Sequence, residues 1–354
     1  MDLLTGYLMR TIVSGTLLVL TVLLGIAALF EFIGQLEDVQ GGYGLREAIS
    51  YSLLRLPQLS FEMLPIAVLI GALLGLGGLA GNSELVVMRT AGLSVAKLAG
   101  MVAWSGLALM IFTALIGEYI GPPLDYYART MRDEARFEQR DREDGKSAWV
   151  KDGSVIFHLE RVNAEYDFGA IYIFRFNDDD SLRSIARAEN SIIDESDEWR
   201  LENFRETRFQ DDGVQVTQSS VAVESFEIDS EMLGVTLVRP LSLSVRGLFS
   251  YISYLKKNDL STDQYETELW SRISSTATVV IMPVLALAFV FGSLRSAGAG
   301  TRLMIGVLVG LGYFLASEMA ANSGVVFGFD PVIVTWAPSA TLFLITMFAL
   351  ARVR

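Results

Sequence analysis

Hydrophobic and polar positions follow two different rhythms along this chain. Long stretches are free of charge: Thr11 to Phe30 (20 residues), Met63 to Ser83 (21), Leu98 to Gly117 (20), Ile273 to Leu294 (22) and Val332 to Ala351 (20). About 20 apolar residues cross a hydrocarbon core of about 30 Å, so each of these windows predicts a membrane-spanning helix. A sixth window, Leu303 to Ser317, has 15 residues. It spans if the helix continues past Glu318 toward Phe329, which places that carboxylate near an interface or a polar cavity. Pro283 lies inside the fourth window and should bend it.

Between the third and fourth windows the period changes to two. From Ala148 to Ile228 the runs SVIFHLERV, AIYIFRF, SLRSIARAENSII, EWRLENFRETRFQ and VQVTQSSVAVESFEI alternate and are broken by DG, NDDD and DDG turns. Five or six such strands without helical crossovers predict an antiparallel sandwich or jelly roll. Val155, Phe157 and Leu159, or Tyr172, Phe174 and Phe176, would line one face, either as a closed core or as a greasy trough open at one edge. The polar run from Leu124 to Asp144 reads as a helix or linker leaving the third span. Ser261 with Gln264 makes a capping box from which one helix could run through the fourth span.

The fold class predicted is therefore a membrane α-helical protein with six transmembrane helices, three and three, around an inserted all-β, jelly-roll-like domain. Residues 1–121 carry the first three spans, 122–260 the β domain with its linkers, and 261–354 the last three.

Charge sharpens this layout. Of a formal net charge of -13, the segment from Pro122 to Ser271 supplies all, with 18 Lys+Arg against 31 Asp+Glu; the flanks carry 10 of each sign. Such an excess of carboxylates excludes a nucleic-acid surface, which needs clustered basic residues. One set of short loops and termini holds Arg10, Arg89, Lys97, Arg295, Arg302, Arg352 and Arg354, and the other holds only Arg46 and Arg55 among many acids. The positive-inside rule then puts the termini in the cytoplasm and the β domain outside, in the periplasm if the cell has one. The apolar N-terminal stretch is too long for a signal-peptide core and reads as a retained span.

Candidate chemistry is thin. With no cysteine there are no disulfides, thiolate metal sites or cysteine nucleophiles. Gly145 to Ser147 resembles the end of a Walker A loop, but Arg140 stands where that motif needs glycine. Gly75, Gly77 and Ala80 match a dinucleotide fingerprint inside an apolar span, with no strand before them. The single His158 builds neither a triad nor a metal site. No catalytic residue, metal site or cofactor is expected in this chain. Acids at span edges, Glu31, Glu62, Glu118 and Glu318, would face a cavity or a partner, because charge near hydrocarbon is costly. Glycines four apart, Gly71 with Gly75, Gly77 with Gly81 and Gly306 with Gly310, allow close helix packing within the chain or at a subunit seam.

The loop after the second span, NSELVVMRTAGLSVAKL, is short and amphipathic. It resembles the coupling helix of the lipopolysaccharide-export permeases, the LptF/LptG family. QLEDVQGGYGLREAI, MLPIAVLIGALLGLG, GEYIGPP, AWVKDGSVIFHLERV, LKKNDLSTDQYETELWSRI and LAFVFGSLRS agree with that family in order, on its LptG branch. The resemblance implies an ABC-transporter permease subunit of the bacterial inner membrane. It would extract lipopolysaccharide from the outer leaflet and pass it to periplasmic β-jellyrolls. The implied partners are LptF, a dimer of the ATPase LptB (which binds the ATP), LptC and, indirectly, LptA. A coupling helix at about residues 82–97 would place Glu84, Leu85, Met88 and Arg89 against the ATPase. The first and fifth spans would form lateral gates, and Phe30, Phe32, Arg46, Arg55, Phe157 and Phe174 would line the lipid path. The family carries lysines at the outer end of the first span, able to meet lipid A phosphates. This chain has Glu31, Glu37 and Asp38 there, so no phosphate-binding residues are carried over; Arg46 and Arg55 are substitutes on the correct side.

Other classes fit less well. A membrane sensor or scaffold with a ligand-recognising outer β domain would need more than a short loop helix on the inside. A secondary transporter would need polar residues at the midplane of broken helices.

Overall fold

The computed structural model describes residues 3–39, 42–137, 147–160, 169–177, 179–193, 198–210, 212–226, 242–292 and 297–352. Arg140, Gly145, Lys146, Leu294, Arg295, Arg354 and the ends of two strand runs, residues 161–162 and 227–228, lie outside them. Before the β region come α1 (Leu3–Leu36), α2 (Leu45–Gly81), α3 (Glu84–Thr90), α4 (Val95–Leu115), a π-helical turn (Ile116–Ile120) and α5 (Gly121–Phe137). After it come α6 (Val245–Lys257), α7 (Asp263–Phe291), α8 (Ala299–Phe327) and α9 (Pro331–Arg352). Six segments are long and apolar enough to cross a membrane: α1, α2, the continuous stretch Val95–Asp133, α7, α8 and α9. The short fifth window does continue, past Glu318 to Phe327. The fourth span does begin well before its apolar window, but Thr262 rather than Ser261 occupies the N-cap position. The Thr262 hydroxyl donates to Glu266 Oε1 at 3.0 Å instead of closing a capping box.

The two most buried spans, α2 and α7, pack together and organise the bundle. Their apolar side chains (Leu64, Val68, Leu73, Leu76, Met282, Leu285) are fully or almost fully buried with Leu8 and Ile12 of α1 and Leu98 and Val102 of α4. The glycine pairs are used mostly within the chain. Gly15 of α1 and Gly71 of α2 face each other so closely that a Cβ on Gly15 would lie 2.6 Å from the Gly71 carbonyl oxygen. Where hydrocarbon surrounds both helices, such close backbone approach replaces the hydrophobic effect as the source of affinity. Gly77 makes room for the Arg302 side chain, whereas Gly81 faces open space.

The π turn has a local cause. Pro122 and Pro123 cannot donate to the carbonyls four residues back, so the ladder widens there and Gly121 N–H reaches Ile116 O instead.

The described strands form one seven-stranded antiparallel sheet with the curvature of a half-barrel. They are β1 (Ala148–Asp152), β2 (Val155–Leu159), β3 (Ile171–Phe176), β4 (Leu182–Ala188), β5 (Asn190–Ile193), β6 (Glu198–Gln210) and β7 (Gly213–Ser225). The first four make a meander; β4 and β5 share one edge of β6, and β7 takes the other. Phe157 pairs with Ile173, and Ile156 pairs with Phe174. Because side chains alternate across a strand, Phe157 and Phe174 lie on opposite faces. Val155, Phe157 and Leu159 therefore line one face with Ile171 and Ile173, and Tyr172 and Phe174 line the other. The Phe157 face is apolar and buried; Trp199 and Phe226 pack on Phe157 with ring centroids at 5.8 and 4.6 Å. Leu248, Ile252 and Leu255 of α6 complete that core.

Candidate functional site

The polar groups of the bundle converge where the spans meet the β region. Asp125 of α5 has a fully buried side chain. It accepts from Arg55 Nε at 3.1 Å, Arg129 Nε at 2.7 Å and the Ser242 hydroxyl at 2.6 Å. Arg55 of α2 also donates to Glu31 of α1 at 2.8 Å. Gln35 donates to Glu31 at 3.3 Å and accepts from the Tyr43 hydroxyl at 3.1 Å. One network thus ties α1, α2, α5 and the segment entering α6. Arg132 extends it, over the Tyr51 ring at 5.2 Å and 3.9 Å from Asp38. Charges this desolvated persist only when paired and hydrogen-bonded.

Next to this network a cavity of about 450 Å³ opens between α2, α7, α8 and α9. Arg55, Glu62, Glu268, Arg272 and Glu318 line it. Arg272, almost fully buried, donates to Glu268 at 2.8 Å and lies over the Phe61 ring at 5.8 Å. Gln58 donates to Glu62 at 3.1 Å. Deeper in, Ser274, Thr278, Tyr313 and Ser339 link α7, α8 and α9 by hydroxyl contacts of 2.7 to 3.1 Å. The span-edge acids Glu62 and Glu318 accordingly face a cavity, and Glu31 faces a cation. Glu118 has another use: its oxygens accept from Val245 N–H at 2.8 Å and Arg246 N–H at 3.2 Å, holding the start of α6.

The spans at the rim are apolar on their outer faces. On α1, Leu18, Leu29 and Phe30 are more than 60% exposed, and on α8 Leu308 and Met319 likewise. A groove of about 480 Å³ runs along α1 past Ile26, Phe30, Glu31 and Met63. Of the residues expected on a lipid path, Phe30 lies in this groove and Phe32 is half-buried beside it in sequence; Arg46 is exposed, and Arg55 is held by two carboxylates. Phe157 is fully buried, and Phe174 is half-buried on the opposite face, stacked with Trp149 at 5.7 Å.

At the far end of the bundle, α3 forms a short step between α2 and α4. It ends at Thr90, before the extent expected: Gly92 is at φ 95° and Ser94 caps the next helix, its hydroxyl accepting from Lys97 N–H at 3.2 Å. Leu85 is buried and Met88 packs on the bundle core. Glu84 accepts from the Tyr7 hydroxyl at 2.8 Å, and Arg89 lies over the Phe291 ring at 5.6 Å. The side chains exposed on this helix include Val86 and Val87, the latter 64% exposed. Sequence reasoning missed them, although two adjacent valines between Leu85 and Met88 in an amphipathic loop were the available signal.

On the β side, the α6 seam is held by polar contacts as well. The Tyr254 hydroxyl donates to Lys151 O at 2.8 Å, and Asn258 Oδ1 accepts from Gly153 N–H at 2.7 Å. Burial, reinforced by Tyr265, pushes the Tyr251 hydroxyl far above its ordinary pKa, so it stays neutral. Among the described residues no cluster of histidines and acids could hold a metal ion.

The family model for the lipopolysaccharide export system permease LptF/LptG matches residues 6–352. The chain is 32% identical over 350 residues to the lipopolysaccharide export system permease protein LptG of Escherichia coli K12, covering 98% of this chain and 97% of that protein. It is 30% identical to LptG of Haemophilus influenzae, covering 98% of both. To LptF of Escherichia coli K12 it is 22% identical, over 93% of this chain and 89% of that one. With its six apolar spans and inserted antiparallel sheet, the chain belongs to the LptF/LptG family of lipopolysaccharide export system permeases.

Proposed function

We propose that the chain is the LptG-type permease subunit of an ATP-driven exporter, which withdraws lipopolysaccharide from the outer leaflet of the inner membrane and delivers it to a periplasmic β bridge. The observation that carries this reading is the arrangement of α1 and α8. Each leans on α2, and each leaves a long apolar face without a partner among the described residues. A paralogous LptF subunit would face these two helices and enclose a cavity with them. The basic loops favour cytoplasmic termini and a periplasmic sheet. The step formed by α3 suits docking to the ATPase LptB, which would supply the nucleotide chemistry. LptC and then LptA would continue the β path.

The energetics favour such an enclosure. Each acyl CH₂ moved into water costs about 0.8 kcal/mol, so a many-chained lipid needs continuous apolar cover. The apolar face of the sheet sits above the bundle, but Trp199, Phe226 and α6 fill it. Lipid passing along it would have to displace that packing.

The test is photo-crosslinking in proteoliposomes holding the chain with LptF and LptB. Probes at Phe30 are expected to give lipopolysaccharide adducts that fall on ATP addition, while adducts at Phe157 rise. Adducts at both positions indifferent to ATP would overturn the reading.

A further inference from the structure

The largest of the described cavities, about 770 Å³, lies on the side of the bundle formed by α4 and α7, and shares Phe61 and Arg272 with the polar cavity. Its walls are the last turns of α4 (Met110, Ile111, Ala114, Leu115) and the first apolar turns of α7 (Ile273, Ala277). Its roof is α6, through Val245 and Phe249. The opposite face of α6, Leu248, Ile252 and Leu255, is buried in the β core. Phe249 is 55% exposed, and Tyr119 on the rim is 66% exposed. The groove sits where the charge-free window of the third span ends and that of the fourth begins, which puts it near a headgroup boundary. Exposed apolar surface roofed by an amphipathic helix there is suited to acyl chain.

Of the three charges that line it, Arg272 is almost fully buried and paired with Glu268, and the other two mark the mouth. Arg246 is exposed, and its side chain has no partner among the described residues. Glu118 is half-buried, with each carboxylate oxygen accepting a single backbone N–H of α6; each can accept a further bond. A cation and an anion side by side above an apolar slot match a headgroup that carries phosphate and ammonium together.

We propose that this groove holds one zwitterionic aminophospholipid, an acyl chain lying between α4 and α7 under α6. Its phosphate meets Arg246, and its ammonium meets Glu118. The lipid is a resident of the fold rather than the exported molecule. It would seal the joint between the third span and α6, which Glu118 already links.

The test uses the full chain, purified in mild detergent with its permease partner and examined by native mass spectrometry. Phosphatidylethanolamine, phosphatidylglycerol and lipopolysaccharide are each titrated in. Retention of one phosphatidylethanolamine is expected, with phosphatidylglycerol held about fivefold more weakly for want of the ammonium. Ala114→Trp, which fills the slot from its exposed wall, should lower retention about tenfold, and Arg246→Glu about fivefold. A photo-crosslinker at Phe249 should label phospholipid. Unchanged retention in both variants overturns the proposal. So does equal binding of the two phospholipids, preferential binding of lipopolysaccharide, or a Phe249 adduct to a protein helix.

Discussion

Arg55 and Asp125 meet across the end of the bundle that adjoins the β region, 70 positions apart in sequence, with Nε 3.1 Å from a carboxylate that is fully shielded from solvent. Arg129 and Ser242 complete the shell around Asp125. Removing one partner of such a cluster costs more than the pair contributes, because the other charges stay buried. Asp125→Ala is expected to destabilise the chain by about 3–5 kcal/mol. Asp125→Asn, which keeps an acceptor, should cost less. Thermal unfolding in detergent measures both, and equal midpoints for wild type and Asp125→Ala would show that the network carries no stability.

The contact of Gly15 with Gly71 leaves no room for a side chain on either. Gly71→Leu is expected to force α1 off α2, at a cost at the upper end of the roughly 1–3 kcal/mol usual for overpacking, because the obstacle is backbone. Gly81→Leu, facing open space, should be neutral within about 0.5 kcal/mol. Cysteine crosslinking between α1 and α2 would report the lost seam, and equal crosslinking in the two variants would refute it.

These two sites differ in how far the sequence reveals them. Spans are legible because the absence of charge over about 20 residues has few other causes, and strands because period two is local. The Gly71 and Gly75 spacing announces close packing, yet not that Gly15 is the partner. Glu118 reads as an interfacial acid, since nothing local says that it receives the backbone of α6 127 residues later. The opposite facing of Phe157 and Phe174 follows from the register between β2 and β3, which alternation within either strand leaves open. The end of α3 at Thr90 was readable from Gly92 and Ser94, an αL glycine followed by a capping serine.

Glu84 is the anion of the loop helix, and Tyr7 is its one hydrogen-bond partner among the side-chain contacts described. If α3 transmits force from an ATPase, Glu84→Ala should weaken ATPase association or coupling while membrane insertion is unchanged. Tyr7→Phe should have a smaller effect in the same direction, because the carboxylate remains. Val87→Asp, at the most exposed apolar position of this helix, should impair docking more than Thr90→Asp. ATP-dependent release of lipopolysaccharide from proteoliposomes measures all four. Wild-type release from Glu84→Ala would remove α3 from the mechanism.

The β sheet carries its own acid sensitivity in Glu206. Burial alone would raise this carboxyl, but the Ser184 hydroxyl at 2.8 Å, Arg175 at 2.9 Å and Arg208 at 3.0 Å outweigh it and hold the pKa below the ordinary 4.5. A carboxylate depressed in the folded state binds fewer protons there than in the unfolded one. Its contribution is therefore fully present above the ordinary value of 4.5 and is lost as pH falls through the lower folded value. Hydrogen exchange across β6 in the full chain should show protection that is level from neutral pH down to about 5 and falls below that. Glu206→Gln should begin less protected at neutral pH and lose less on acidification, because the group that takes up the proton is gone. Parallel pH profiles for the two proteins would mean that other carboxylates, such as Glu224 beside Arg175 at 3.0 Å, govern the acid response of the sheet.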